Sequence, residues 1–170
     1  MPDQPAGRLV HYTKETYDGS FNTDLLEQYK LYVQSAENVS ARRLASSRYL
    51  LTLNAALVAL YGLQPQGFSQ SYWTLPIPVI GILVSLLWYL VIKSHADLNR
   101  VKFDVIHEFE QHLPAAMYKY EWHLAEEGRG KIYRAVTTIE RWIPILFVAL
   151  HVVLGVMILL AITGILDWAK

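Results

Sequence analysis

The chain has 170 residues, 53% hydrophobic and 18% charged, with 15 acidic and 15 basic side chains and no cysteine. A zero net charge argues against nucleic-acid binding, which needs a basic face with excess Lys and Arg. The missing cysteine removes disulfides, thiolate nucleophiles and Cys-ligated zinc. No Asp, Glu, Lys or Arg occurs in the 44 residues from Tyr49 to Ile92, or from Trp142 to Leu166. Such gaps belong in a bilayer, where each charge is costly.

Residues 1–22 are polar and lack the apolar core and cleavage pattern of a signal peptide. They read as a flexible cytoplasmic arm. Asp24 with Glu27 makes a capping-box arrangement, and Leu25, Tyr29, Tyr32, Val33, Ala36 and Val39 recur at helical spacing. No Pro or Gly interrupts residues 23–61. One helix is therefore expected over 23–48 in the cytoplasm, leading directly into a first span over 46–63. Residues 64–74, rich in Gln, Ser, Gly and Pro, form an extracytoplasmic loop. A second span follows over 75–92.

Residues 93–141 read as a cytoplasmic helical region. The second helix continues through Leu98, Val101, Val105, Ile106, Phe109 and Leu113 and stops at Pro114. A short helix follows, with Tyr118, Trp122 and Ala125 on one side, closed by Gly128-Arg129-Gly130. Ile132, Val136 and Ile139 lead into a third span over 142–165, with Pro144 near its start and a tail at 166–170. The fold class is an all-α integral membrane protein: three transmembrane helices, with cytoplasmic helical extensions forming a small bundle. If all three segments cross, 14 of the 15 basic residues fall on one side. The positive-inside rule then puts the amino terminus in the cytoplasm and the carboxyl terminus outside. Trp73, Trp88, Tyr89, Trp142 and Trp168 fall near span ends, where interfacial aromatics sit.

Enzyme chemistry is poorly supplied. His107 and His112 stand five apart, about 140° around a helix. The His-Glu-x-x-His zinc arrangement needs four. No phosphate loop or nucleophile elbow occurs. No catalytic residue, metal site or cofactor is expected, and the protein reads as a non-enzyme.

The polar residues inside the spans carry more information, because hydrocarbon penalises them unless they find partners. Arg43, Ser47, Leu50, Asn54 and Leu57 form one stripe on the first helix. Glu140, Pro144, Phe147, His151 and Gly155 form another on the third. Arg42 or Arg43 is expected at the depth of Glu140, as an ion pair or as separate charges reaching headgroups. Thr52, Asn54, Ser85 and His151 are candidates for interhelical hydrogen bonds or for the lining of a pathway. Ala55 with Ala59, and Gly81 with Ser85, are small-xxx-small pairs that allow close helix approach.

Three stretches resemble the opening of the RipA family of small bacterial membrane proteins: Leu26 to Val33, Ala36 to Arg43, and Leu53 to Leu57. Lys131 to Pro144 is similar to that family's closing signature, with a Tyr, a Thr and an Ile-Glu before a membrane Pro. The matching positions are Tyr29, Tyr32, Arg42, Arg43, Asn54, Tyr133, Glu140 and Pro144; the first 20 residues lie outside the match. The resemblance implies a homo-octamer in the bacterial cytoplasmic membrane and brings no catalytic residue with it. Two functions are then expected. In the first, cytoplasmic helices sense a ligand or protein partner and couple to an assembly that forms or gates a pore, as in a defence or stress effector. In the second, the oligomer is a non-conducting scaffold for other membrane proteins. The partners expected are further copies of the chain and membrane lipid, with no nucleic acid.

Overall fold

The computed structural model describes residues 9–63, 72–125 and 139–165. Among these the fold is helical, without strands: α1 (Phe21–Gly62), a 3-10 turn (Tyr72–Thr74), α2 (Pro76–Glu110), α3 (Met117–Leu124) and α4 (Trp142–Ile162). Most of the expected loop (64–71), Gly128-Arg129-Gly130, Ile132, Tyr133, Val136 and Trp168 lie outside the described residues.

The helix ends follow local chemistry. The Ser20 carbonyl accepts the first helical bond, from Asp24 N–H at 2.9 Å. Asp24 is therefore in the first turn of α1 rather than at its cap, and the expected capping box does not form. The Asp24 carboxylate accepts a hydrogen bond from the Tyr17 hydroxyl at 2.9 Å, with its charge near the positive end of the helix dipole. α2 stops at Glu110, short of Pro114, in tight turn bonds from Gln111, His112 and Leu113 N–H to Glu108, Phe109 and Glu110 carbonyls. α4 ends in a Schellman arrangement: Gly164 N–H to Ala161 and Ile165 N–H to Leu160, with Gly164 at φ 72°. Only glycine adopts that conformation cheaply.

α2 and α4 are long and apolar enough to cross a bilayer. α1 is not among such helices. Its second half dilutes Leu and Val with Thr52, Asn54, Ala55, Ala56, Ala59 and Gly62, so the three expected spans reduce to two on length and composition.

Two compact units are present. The first comprises 1–41 and 96–135, the second 42–95 and 136–170. In the first, Leu25, Tyr29 and Ala36 of α1 pack with Ile106 and Phe109 of α2, and Leu9, Val10 and Tyr118 close the edges. Leu9 and Val10 belong to the stretch expected as a free arm. Two apolar residues among polar ones show no periodicity, so the sequence carries no local sign of this packing. Tyr29 meets Glu110, Ser35 meets Lys102 and Ser40 meets Asn99. As α1 advances, its partner on α2 retreats by matching steps, which defines an antiparallel pair.

In the second unit the same antiparallel order continues, with Ser47 against Trp88 and Asn54 against Ser85. Its apolar core is Leu50, Trp88 and Ile92, with Val84 and Phe147 packed on it. Trp88 is therefore a core residue rather than an interfacial aromatic. The buried positions of α2 here are Pro78, Gly81, Ser85, Trp88 and Ile92, alternating three and four apart as in a coiled-coil seam. The outward faces carry Val79, Ile80, Leu83, Leu86, Leu87 and Leu90 on α2 and Leu146, Val152, Val153, Val156 and Leu159 on α4, all exposed. A protein in water does not leave so continuous an apolar surface uncovered; hydrocarbon accepts it.

Candidate functional site: a polar cluster inside an apolar bundle

Thr74 of the 3-10 turn is completely buried, as are three polar side chains on the helices of the second unit: Asn54 of α1, Ser85 of α2 and His151 of α4. One comes from each helix, at inward positions of the seam. Asn54 Nδ2 donates to the Leu50 carbonyl one turn back at 2.9 Å. That bond orients the amide, so Oδ1 faces the other two helices. Ser85 Oγ lies 2.8 Å from Asn54 Oδ1 and 2.8 Å from the Gly81 carbonyl, and its single proton is shared between them. His151 Nε2 lies 3.2 Å from the same Oδ1. Because an amide oxygen only accepts, Nε2 carries the proton in this tautomer. Nδ1 is buried and has no hydrogen-bond partner among the described residues.

Gly81 makes the cluster possible. A Cβ built there would run into the imidazole of His151, so α2 and α4 approach through the missing side chain. The small-xxx-small spacing of Gly81 and Ser85 thus serves two purposes, room for a ring and a hydroxyl for Asn54. Below this layer Trp88 Nε1 donates to Ser47 Oγ at 3.3 Å, and Phe147 stacks obliquely between Trp88 and His151. At the end of the apolar segments Arg43 Nη1 meets Glu140 Oε2 at 3.1 Å, both side chains largely shielded. The stripes of α1 and α4 are therefore inward faces of one bundle. Arg42 is exposed and points elsewhere. Thr52 is exposed too, and its hydroxyl returns to the Arg48 carbonyl at 3.0 Å. Pro144 is buried in the first turn of α4, where a missing N–H costs no helical bond.

The first unit holds a second polar centre that the sequence did not reveal. Glu110, at the end of α2, is almost fully buried. Its carboxylate accepts from Tyr118 N–H at 2.7 Å, Lys119 N–H at 2.9 Å and the Tyr29 hydroxyl at 3.2 Å. The two backbone donors are free N–H groups of the first turn of α3, whose own N-cap residue, Ala116, supplies no side-chain bond. Glu110 is thus a cap delivered from another helix. Burial, the adjacent carboxylate and the hydrogen bond to it push the Tyr29 hydroxyl up to about 12. The sequence signal available was an acidic residue directly after Ile106 and Phe109 on the apolar face. Tyr32 packs beneath the Lys102 ammonium, 4.7 Å from the ring centre.

Neither centre presents a nucleophile paired with a base. Both are buried sets of hydrogen bonds that join helices. No curated protein and no solved structure matches the chain. The model of one family, described as the octameric membrane protein family 8xMP, matches residues 26–160. That stretch contains Asn54, Ser85, His151, Arg43, Glu140 and Glu110 together, and with the two apolar helices it makes this a membrane protein. The chain belongs to the octameric membrane protein family.

Proposed function

We propose that this protein is a non-enzymatic homo-octameric scaffold of the bacterial cytoplasmic membrane. Each protomer is sealed, and its cytoplasmic unit receives protein partners. The observation that carries the reading is the inward closure of Asn54, Ser85 and His151 on one another. Polar groups that line a pathway face water, whereas these three are buried and hydrogen-bond to one another inside one bundle. In this reading α1 crosses the membrane beside α2 and α4. Asn54 is neutralised by its partners, which offsets the weak hydropathy of that half of α1. The basic residues flanking the spans support an amino terminus inside and a carboxyl terminus outside. The segments resembling the RipA family support the bacterial membrane and the octamer.

The test is ion flux from vesicles containing the reconstituted octamer. The scaffold reading expects leakage no faster than from empty vesicles, and steady single-channel steps would overturn it. One observation favours the sensing and gating alternative: α1 and α2 are continuous helices of 42 and 35 residues, each contributing to both units. Movement in one unit would then pass to the other as rigid-body motion. A pathway of that kind would run between protomers, and flux dependent on an added cytoplasmic ligand would reveal it.

A further inference from the structure

The zero net charge of the chain conceals a partition. The unit formed by 1–41 and 96–135 contains nine basic and thirteen acidic residues; the other contains six basic and two acidic. Four of those six cluster where the apolar segments begin or end: Arg42, Arg43 and Arg48 on α1 and Lys93 on α2; Arg141 directly precedes α4. The contacts Arg43–Glu140 and Trp88–Ser47 hold these positions at one level of the bundle. Glu140, the one acidic residue described in this unit, is taken by Arg43. Arg42, Arg48 and Lys93 are exposed, and Arg141 Nε is shielded without a hydrogen bond among the described residues.

On α1 the exposed cations share a face. Arg42, Ala45, Arg48 and Tyr49 fall within an arc of about 120° at 3.6 residues per turn. The small Ala45 leaves a gap between two guanidinium groups, and Tyr49 extends beside them on the apolar side. Exposed Trp142 flanks Arg141 in the same way on α4. Guanidinium groups bind phosphate oxygens in a bidentate fork, and Tyr and Trp settle at the depth of lipid headgroups.

We propose that the Arg42–Arg48–Tyr49 face of α1, with Lys93 and Arg141, is a docking surface for the phosphodiester headgroups of anionic phospholipids. The surface rests on membrane residence through α2 and α4, and is independent of whether the octamer conducts. A basic residue at an anionic membrane surface gives about a fivefold preference, so two arginines and a lysine give a marked selection of lipid.

The experiment follows the thermal unfolding midpoint of the full-length protein in detergent, with added phosphatidylglycerol, phosphatidylcholine or inorganic phosphate. Phosphatidylglycerol should raise the midpoint by several degrees more than phosphatidylcholine, and phosphate should leave it unchanged. In an Arg42→Gln/Arg48→Gln variant the excess should vanish while the phosphatidylcholine response stays. Lys119→Gln, in the other unit, should keep the excess. Equal responses of the unmodified protein to both lipids would overturn the proposal, as would an excess that survives the double substitution. A shift reproduced by inorganic phosphate would overturn the lipid source in favour of a soluble anion. Should the double variant fail to assemble, the lipid retained by the unmodified protein decides. From an equimolar mixture, native mass spectrometry should find phosphatidylglycerol enriched about fivefold or more, and no enrichment would refute the surface.

Discussion

Gly81→Ala is the sharpest perturbation the bundle offers. The added Cβ would overlap the His151 ring, and both residues are themselves buried between helices. Relief requires the imidazole to leave Asn54 Oδ1, or α2 and α4 to separate. Overpacking of this kind costs about 1–3 kcal/mol, and losing the His151–Asn54 bond adds about 0.6–1.7 kcal/mol. His151→Ala alone should also destabilise, through lost packing and the same hydrogen bond. In the double variant the alanine at 81 has no ring to meet. Its cost should shrink, giving a favourable coupling of about 1 kcal/mol or more, within the range for residues in contact. The assay is reversible unfolding of the four proteins in mixed micelles, followed by helical circular dichroism. Additivity within about 0.5 kcal/mol would mean that Gly81 and His151 do not touch, and the three-helix cluster would fall with that contact.

Further outcomes follow from the two polar centres. Asn54→Leu removes the acceptor of both Ser85 and His151. It should cost about 0.6–2 kcal/mol, with Ser85→Ala costing less because the Ser85 hydroxyl also caps its own helix carbonyl, as unfolding in micelles would show. Glu110→Ala leaves two N–H groups of α3 without their cap, at about 0.5–2 kcal/mol. Amide exchange in α3 should accelerate selectively, while exchange in α4 stays unchanged. Tyr29 has its folded pKa raised above the ordinary value of 10 to about 12. Protonated Tyr29 therefore favours the folded state, and its contribution is complete below pH 10 and is lost as pH rises from 10 to 12. Tyr29→Phe should flatten that limb of the stability profile, and an unchanged limb would refute the assignment. Arg43→Gln and Glu140→Gln should each cost about 0–1 kcal/mol, with the coupling between them weakened by salt.

The helices and the membrane character of α2 and α4 were legible in the sequence because both signals are local. Uninterrupted apolar spacing makes a helix, and charge-free length makes a span. The inward stripes of α1 and α4 were legible for the same reason, since three-and-four spacing places residues on one face. Meeting partners were harder. Asn54, Ser85 and His151 each stand out as polar groups in apolar segments. Their convergence depends on the register between helices, which no single segment contains. Glu110 stayed hidden because its donors lie on α3 and on a tyrosine 81 residues earlier. A glutamate in a charged region looks solvated until the fold buries it. Gly81 looked like a site of close backbone approach, and the structure assigns the space to a particular ring. The Leu9–Val10 contact was missed because packing there is tertiary, without a helical period to announce it. The capping box at Asp24 matched a short pattern, but the helix begins at Phe21, one turn earlier than that pattern implies.

The most direct test of the account is the structure of the assembled protein in a lipid bilayer by electron microscopy. Eight copies are expected. In each, Asn54, Ser85 and His151 should face one another within the protomer, and the assembly should have no water-filled channel lined by them. The same side chains turned toward a continuous aqueous axis would contradict the sealed protomer and the scaffold function built on it.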